Sequence, residues 1–491
     1  MLEDVTYSQV QAHRRRSETR KALGTVTHRW HSGSRTFLGG IVTGLFGSLA
    51  SIPMVTRILF PRATAQWRKL FGQFIQPPPL TDLHLLRLDD PPQPEFGHYG
   101  YTTGEMANIV ERILRDIGLT SKFSRIIIFT GHGSSSLNNP HESAYNCGAC
   151  SGGRGGPNAR AFCRMANDPK VRRMLWERGL EIPDETIFVG AYHNTCDDSV
   201  TFSDLDRIPM THIRDFDRVS DVIAEACQRD AHERCRRFES ADVSITPVDA
   251  LHHVESRSED LSQARPEYNH ATNALCIVGR RQRTQGLFLD RRAFLTSYDP
   301  HQDDEEHSIL LRILQAAVPV CAGISLEYYF STVDVTGYGC GSKLPHNITS
   351  LLGVMEGATS DLRPGLSAQM VEIHEPMRIL FIIEATAETM HSIMDRSDVI
   401  SRLIKNEWVQ LALQDPDSSK ILLFTNGEFR PYEPETHEVP VVSSSKDWYR
   451  GWRHHLGFAT ISPTAMTASP TRPVETESAE TNPAESQGAR S

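Results

Sequence analysis

A histidine and a cysteine fifteen residues apart carry the clearest chemistry in this sequence. His132 sits in Gly131-His132-Gly133, directly after the run Arg125-Ile126-Ile127-Ile128-Phe129-Thr130. Cys147 sits in Asn146-Cys147-Gly148-Ala149-Cys150. Imidazole nitrogen and thiolate sulfur are both good zinc donors, and tetrahedral zinc takes three or four such protein ligands. The pair reads as half of a metal site. A catalytic zinc keeps one position open for water, which it acidifies to a pKa near ~7. Blander readings stand beside this one. Gly-His-Gly also makes turns with a hydrogen-bonded imidazole, and Cys-x-x-Cys also makes redox pairs and structural zinc knuckles. No second Cys-x-x-Cys is present to complete a knuckle. A redox pair would place its first cysteine at a helix N-terminus. Here Cys150 runs into Ser151-Gly152-Gly153-Arg154-Gly155-Gly156, which reads as a loop.

The elements that must hold these residues follow from spacing. The run 125–130 is a strand, and Pro157 opens a helix with apolar Ala159, Phe162, Cys163 and Ala166. Asp168-Pro169 caps a second helix that Gly179 ends, and residues 186–191 make the next strand. Such a βαβ order predicts a parallel sheet, with ligands beyond the carboxyl ends of its strands. His132 and His193-Asn194-Thr195-Cys196-Asp197 both fall there. Further helices are predicted over 101–117, with Met106, Ile109, Val110, Ile113 and Leu114 on one face, and around Val219, Val222, Ile223, Ala226 and Cys227. Further strands are predicted at 274–278, 326–335, 379–383 and 421–424. The fold class is therefore α/β, a mostly parallel sheet with flanking helices. Three regions are expected: a helical segment 1–75, an α/β zinc-binding region 76–430, and an extension 431–491. That extension ends in a tail, disordered from about Ser462, rich in Ser, Thr, Pro, Glu and Ala.

Composition narrows the class. Lys and Arg number 51 against 61 Asp and Glu, a net charge of −10, so bulk attraction to nucleic acid is not expected. Nine cysteines at irregular spacing do not suggest a disulfide scaffold. The first apolar run starts at Phe37, no signal peptide is visible, and a reducing cytoplasm is the expected compartment. Residues 37–56 carry no charge. A run of about 20 apolar residues can span a bilayer, but glycines, serines and Pro53 dilute this one. A buried helix or hairpin is the favoured reading, ahead of docking on a membrane partner and of true spanning. Gly40, Gly44 and Ser48 form a small-residue stripe on which another helix could pack. The basic residues Arg14, Arg15, Arg16, Arg20 and Lys21 make a solvated helix face that also suits an anionic membrane surface.

Several of these blocks, in this order, resemble the DabA family. They are Gly131-His132-Gly133-Ser134, Asn146 to Cys150, Gly155 to Arg160, His193-Asn194-Thr195, Ser262 to Tyr268, Phe294 to Asp299, His346-Asn347, Asp361 to Leu366 and Asn406-Glu407-Trp408. Members are the large zinc-bearing subunits of bacterial inorganic-carbon pumps, with a core related to β-type carbonic anhydrases. The resemblance covers about residues 35–430 and matches the carboxy-terminal part of the family. It implies that zinc is held by a Cys and an Asp of a Cys-x-Asp-x-Arg motif, with a further His and Cys that carry over to His132 and Cys147. This sequence contains no Cys-x-Asp-x-Arg. Cys150, His141, His193 and Asp197 are the local candidates for the missing donors. Cys196 stands where the family leads us to expect threonine.

The resemblance further implies a hydrophobic, proton-pump-like membrane partner of the DabB type, and carbon dioxide and bicarbonate as substrate and product. It places the subunit peripherally on the cytoplasmic face of the inner membrane. The expected function is zinc-dependent hydration of carbon dioxide, coupled to that partner. Its alternative is a degenerate, non-catalytic member that keeps only the fold and the partner surface.

Overall fold

The structure, a computed structural model, describes residues 2–5, 10–33, 36–75, 81–87, 100–134, 146, 153–260, 263, 269–339, 355–356, 361–362, 374–435, 438–449, 452–454 and 456–462. Near the amino end, strand β1 (Leu2–Val5) pairs antiparallel with β2 (Thr81–His84). Between them run helices α1 (Val10–Gly33), α2 (Phe37–Leu59) and α3 (Pro61–Ile75). Thr36 caps α2 by accepting from Gly39 N at 3.1 Å. Phe37 is 85% exposed and Leu45 68%. The buried helix or hairpin expected at 37–56 is thus corrected: the helix forms, but its bulky face is uncovered.

Helix α4 (Thr103–Asp116) starts with a reciprocal cap. Thr102 Oγ1 accepts from Glu105 N at 3.2 Å, and Glu105 Oε2 accepts from Thr102 N at 2.8 Å. Its buried side chains, Met106, Ala107, Val110 and Leu114, keep the helical spacing. The βαβ unit then follows as the spacing predicts: β3 (Ile126–Gly133), α5 (Gly156–Ala166), α6 (Pro169–Glu177) and β4 (Ile187–Asn194). Asp168 Oδ1 caps α6 by accepting from Lys170 N at 2.8 Å. β3 and β4 are parallel from Ile126↔Ile187 to Gly133↔Asn194. α4, α5 and α6 pack Val110, Phe162, Leu175 and neighbours into one core with Phe188.

Strand β5 (Ser199–Phe202) turns back antiparallel on β4. Helices α7 (Ile213–Cys235) and α8 (Pro247–Glu259) come next and pack together. α7 is the helix expected around Val219, but Val222 is 60% exposed, and the buried side chains lie at its far end, at Ala231, His232, Arg234 and Cys235. α3 is fixed to α8 by Arg62 Nε to Glu255 Oε2 at 2.6 Å and Arg68 Nη2 to Glu259 Oε1 at 2.9 Å.

The second sheet is built from β6 (Leu275–Gly279), β8 (Ala293–Ser297), β11 (Leu380–Glu384), β12 (Gln410–Gln414), β13 (Ile421–Thr425) and β14 (Glu428–Pro431), in the spatial order β14-β13-β12-β11-β6-β8. Between β6 and β8 lies β7 (Leu287–Phe288), and after β8 come α9 (Ser308–Val333), α10 (Val335–Tyr338), β9 (Met355–Glu356) and β10 (Asp361–Leu362). α11 (Ala387–Arg396) and α12 (Asp398–Lys405) connect β11 to β12. β15 (Val441–Val442), α13 (Ser445–Tyr449) and β16 (Ala459–Ile461) close the described chain, with β16 pairing β7.

Two expectations are corrected here. The sheets are mixed, not mostly parallel. β8, β6, β11 and β12 run parallel, but β13 and β14 are antiparallel additions, as is β5 on the first sheet. For β14 the cause is local: Asn426 (φ 52°) and Gly427 (φ 84°) make a two-residue turn with both φ positive, which closes an antiparallel hairpin with β13. The strand expected at 326–335 is the end of α9 and its continuation into α10. Tyr328, Tyr329 and Phe330 look strand-like alone, yet they extend a helix whose Leu310, Leu314, Val318 and Cys321 are fully buried against the sheet. α9 is the one described helix long and apolar enough, by length and composition, to cross a membrane. The tail beyond Ser462 lies outside the described residues.

Candidate functional site

His132 occupies the carboxyl end of β3, and its register partner on β4 is His193. Neighbouring parallel strands place such a pair side by side on one face. The flanking glycines are required by close packing. A Cβ on Gly131 would lie 2.2 Å from Gly155 O, and one on Gly133 would lie 2.7 Å from the Tyr192 ring. Gly155 N donates to His132 O at 2.7 Å, so the start of α5 lies across the strand end.

The loop that carries Cys147 is tied to the same place. Ser134 N donates to Asn146 Oδ1 at 2.7 Å, and both residues are buried. Asn146 therefore sits against the end of β3, two residues past His132, and Cys147 follows it in the chain. Cys147 itself, Cys150 and His141 lie outside the described residues.

The His132 side chain is exposed, but the protein crowding it and the nearby His270 and His193 push its pKa down. The neutral imidazole, the form that ligates metal, is favoured. His193 faces inward to a chain of charges. Its Nε2 is 3.2 Å from Asp198 Oδ1, and Arg234 Nη2 donates to the same oxygen at 3.1 Å. Asp198 is 2% exposed and Arg234 3%. Arg234 also donates to Cys196 O and Thr195 O, both at 3.3 Å. Burial raises the Asp198 pKa against the opposing pull of Arg234. Thr195 N donates to Gly133 O at 2.9 Å, joining the loop after β4 to the end of β3.

Of the local substitutes, His193 and Asp197 lie among the described residues. Asp197 accepts from Ser199 N at 3.0 Å and Ser199 Oγ at 2.6 Å, a turn-forming role. His193 is engaged by Asp198, and Cys196, where the resemblance led us to expect threonine, is fully buried. Among the described residues no three His, Cys, Asp or Glu side chains converge to hold a metal ion. The donor chemistry of His132 with Cys147 fits zinc, as an incomplete set. Asp198, Arg234 and His270 belong to the surroundings of the site and were not legible as such. Asp198 is hidden beside Asp197, and Arg234 and His270 stand in no motif.

A family model described as "Probable inorganic carbon transporter subunit DabA" matches residues 2–409. The chain is 60% identical over 459 residues to probable inorganic carbon transporter subunit DabA 2 of Rhodopirellula baltica, covering 94% of this chain and 43% of the relative. It is 48% identical over 459 residues to DabA 2 of Sorangium cellulosum, covering 93% and 44%. Against the DabA subunit of Dechloromonas aromatica it is 48% identical over 434 residues, covering 87% and 42%. The chain thus spans less than half the length of these relatives. No solved structure matches it.

Proposed function

The chain belongs to the DabA family of inorganic carbon transporter subunits, and on that premise we propose that it supplies half of a zinc site for hydrating carbon dioxide to bicarbonate. The observation that carries this reading is the Ser134–Asn146 bond, which brings the segment leading into Cys147 to the strand end that bears His132. Bound zinc would supply Lewis acidity that lets water lose a proton near neutral pH. His132 offers a neutral nitrogen from a rigid strand end, and Cys147 offers a thiolate from the adjoining loop. His193, held by Asp198 and Arg234, stands beside His132 and fixes the polarity of that wall.

The remaining donors, in Cys-x-Asp-x-Arg form, are not in this sequence, so we place them on another polypeptide segment. A β-carbonic-anhydrase-like core is then completed only in the assembled complex. The partner we propose is a hydrophobic, proton-pump-like membrane subunit, with this chain peripheral on the cytoplasmic face of the inner membrane. The uncovered face of α2 supports such docking. Gly40 and Gly44 have open space where a Cβ would stand, so replacing both with leucine leaves the fold intact and abolishes co-purification with the membrane subunit. Unchanged assembly would reject that contact.

The missing motif also favours a second reading, a non-catalytic member that keeps the fold and partner surface. Zinc content separates the two. The first reading expects zinc to bind the purified chain and to be lost in His132→Ala; the second expects no zinc in either.

A further inference from the structure

The second sheet has a crevice of its own, away from His132. Its parallel strands lie in the order β8-β6-β11-β12. The chain leaves β6 for β8 on one side, then returns to β11 on the other. Connections that diverge in this way open a gap beyond the carboxyl ends of the two strands, where doubly wound sheets bind ligands. Here the two strands are β6, ending at Gly279, and β11, ending at Glu384. A Cβ on Gly279 would lie 2.9 Å from Glu384 Cβ, so glycine lets the strand ends close up.

Three arginines follow at once. Glu384, 2% exposed, accepts from Arg280 N at 2.7 Å, Arg280 Nε at 2.8 Å and Arg283 Nε at 3.0 Å. Arg280 Nη2 and Arg283 Nη2 also donate to Pro416 O, at 2.6 Å and 3.0 Å. Arg281 is exposed and donates Nη1 to Leu295 O at 3.1 Å. A cavity of about 690 Å³ opens here, lined by these arginines with Tyr298, Gln302 and Ser418. Two carboxylates line it as well. Asp299 is occupied with His301 N at 3.1 Å and Gln302 Nε2 at 3.0 Å, and Asp417 stands on the rim, 3.6 Å from His301 Nε2.

The site is therefore rich in donors. Each guanidinium carries five N–H groups, always charged. Nη1 of Arg280, Nη1 of Arg283, and Nε and Nη2 of Arg281 have no protein acceptor among the described residues. Such forks match the acceptor oxygens of carboxylate-like or phosphate-like oxyanions. We propose that the crevice between β6 and β11 binds a small oxyanion, bicarbonate or inorganic phosphate, with Arg281 as the principal contact and Arg280 and Arg283 preset by Glu384. This site stands apart from the zinc reading and does not depend on it.

The test is calorimetric titration of the full chain with bicarbonate and, separately, with inorganic phosphate, with chloride at matched ionic strength as control. One saturable site for either anion is expected, weakened by about tenfold or more in Arg281→Gln. His132→Ala is expected to leave it unchanged, which separates this site from the strand end of β3. Whichever anion binds tighter identifies the source. Absence of saturable binding for both anions, or equal binding by Arg281→Gln, would overturn the proposal. Arg281 is exposed, so its variant keeps the fold.

Discussion

At the scale of single residues, a few buried charged side chains hold the surroundings of the strand end. Arg234 is buried and spends its guanidinium on Asp198 and two carbonyls. Arg234→Ala takes from the buried Asp198 carboxylate its charged partner and from two carbonyls a donor, so a loss of about 3–5 kcal/mol is expected in urea unfolding. A loss under about 1 kcal/mol would show that solvent reaches this group. Glu384 behaves differently. Burial opposes its charge, but hydrogen bonds from Arg280 and Arg283 win and hold its pKa below the ordinary carboxylate range. A depressed folded pKa means the contribution is present above the unfolded value of about 4.3 and is lost as pH falls through the folded value. Glu384→Gln should therefore flatten the acid limb of the stability curve and leave its slope near pH 7 unchanged. His132 and Cys147 stand out in the sequence because their types are rare in combination: His132 between glycines, and Cys147 in a short glycine-rich run. Asp198 and Arg234 do not, because their roles come from a contact between residues 36 apart that leaves no local pattern.

At the scale of elements, local signals succeeded where one rule dominated. Asp168 before Pro169 announced a helix start, and its cap is present. The apolar run before His132 became β3 and paired parallel with β4. Elsewhere two rules competed. The aromatic run after Leu326 has strand propensity, yet it continues a helix already paying for its burial along Leu310, Leu314 and Val318. The Asn426-Gly427 turn was legible in principle, since that dipeptide is the strongest short hairpin signal. Counting only strand-helix alternation hid it, and the sheet was read as mostly parallel. Gly427→Ala, at φ 84°, should cost about 1 kcal/mol, seen as a lower thermal midpoint with no change in zinc binding. Residues 37–56 misled for another reason. A sequence shows that a segment is apolar, but not whether its own chain covers it.

At the scale of the whole molecule, the proposed zinc site needs donors from beyond this chain. The chain spans under half the length of the relatives it matches, carries the two proposed zinc donors, and exposes an apolar helix. The purified chain alone is expected to show no carbon dioxide hydration above the uncatalysed rate in a stopped-flow pH assay; robust hydration would mean that the remaining donors lie within it. The most direct measurement is the zinc bound per chain in equilibrium dialysis, for the wild type, His132→Ala, Cys147→Ser and the double variant. If one ion is gripped by both side chains, each single change removes as much zinc as the double change. Zinc binding that survives in either single variant would contradict the shared site.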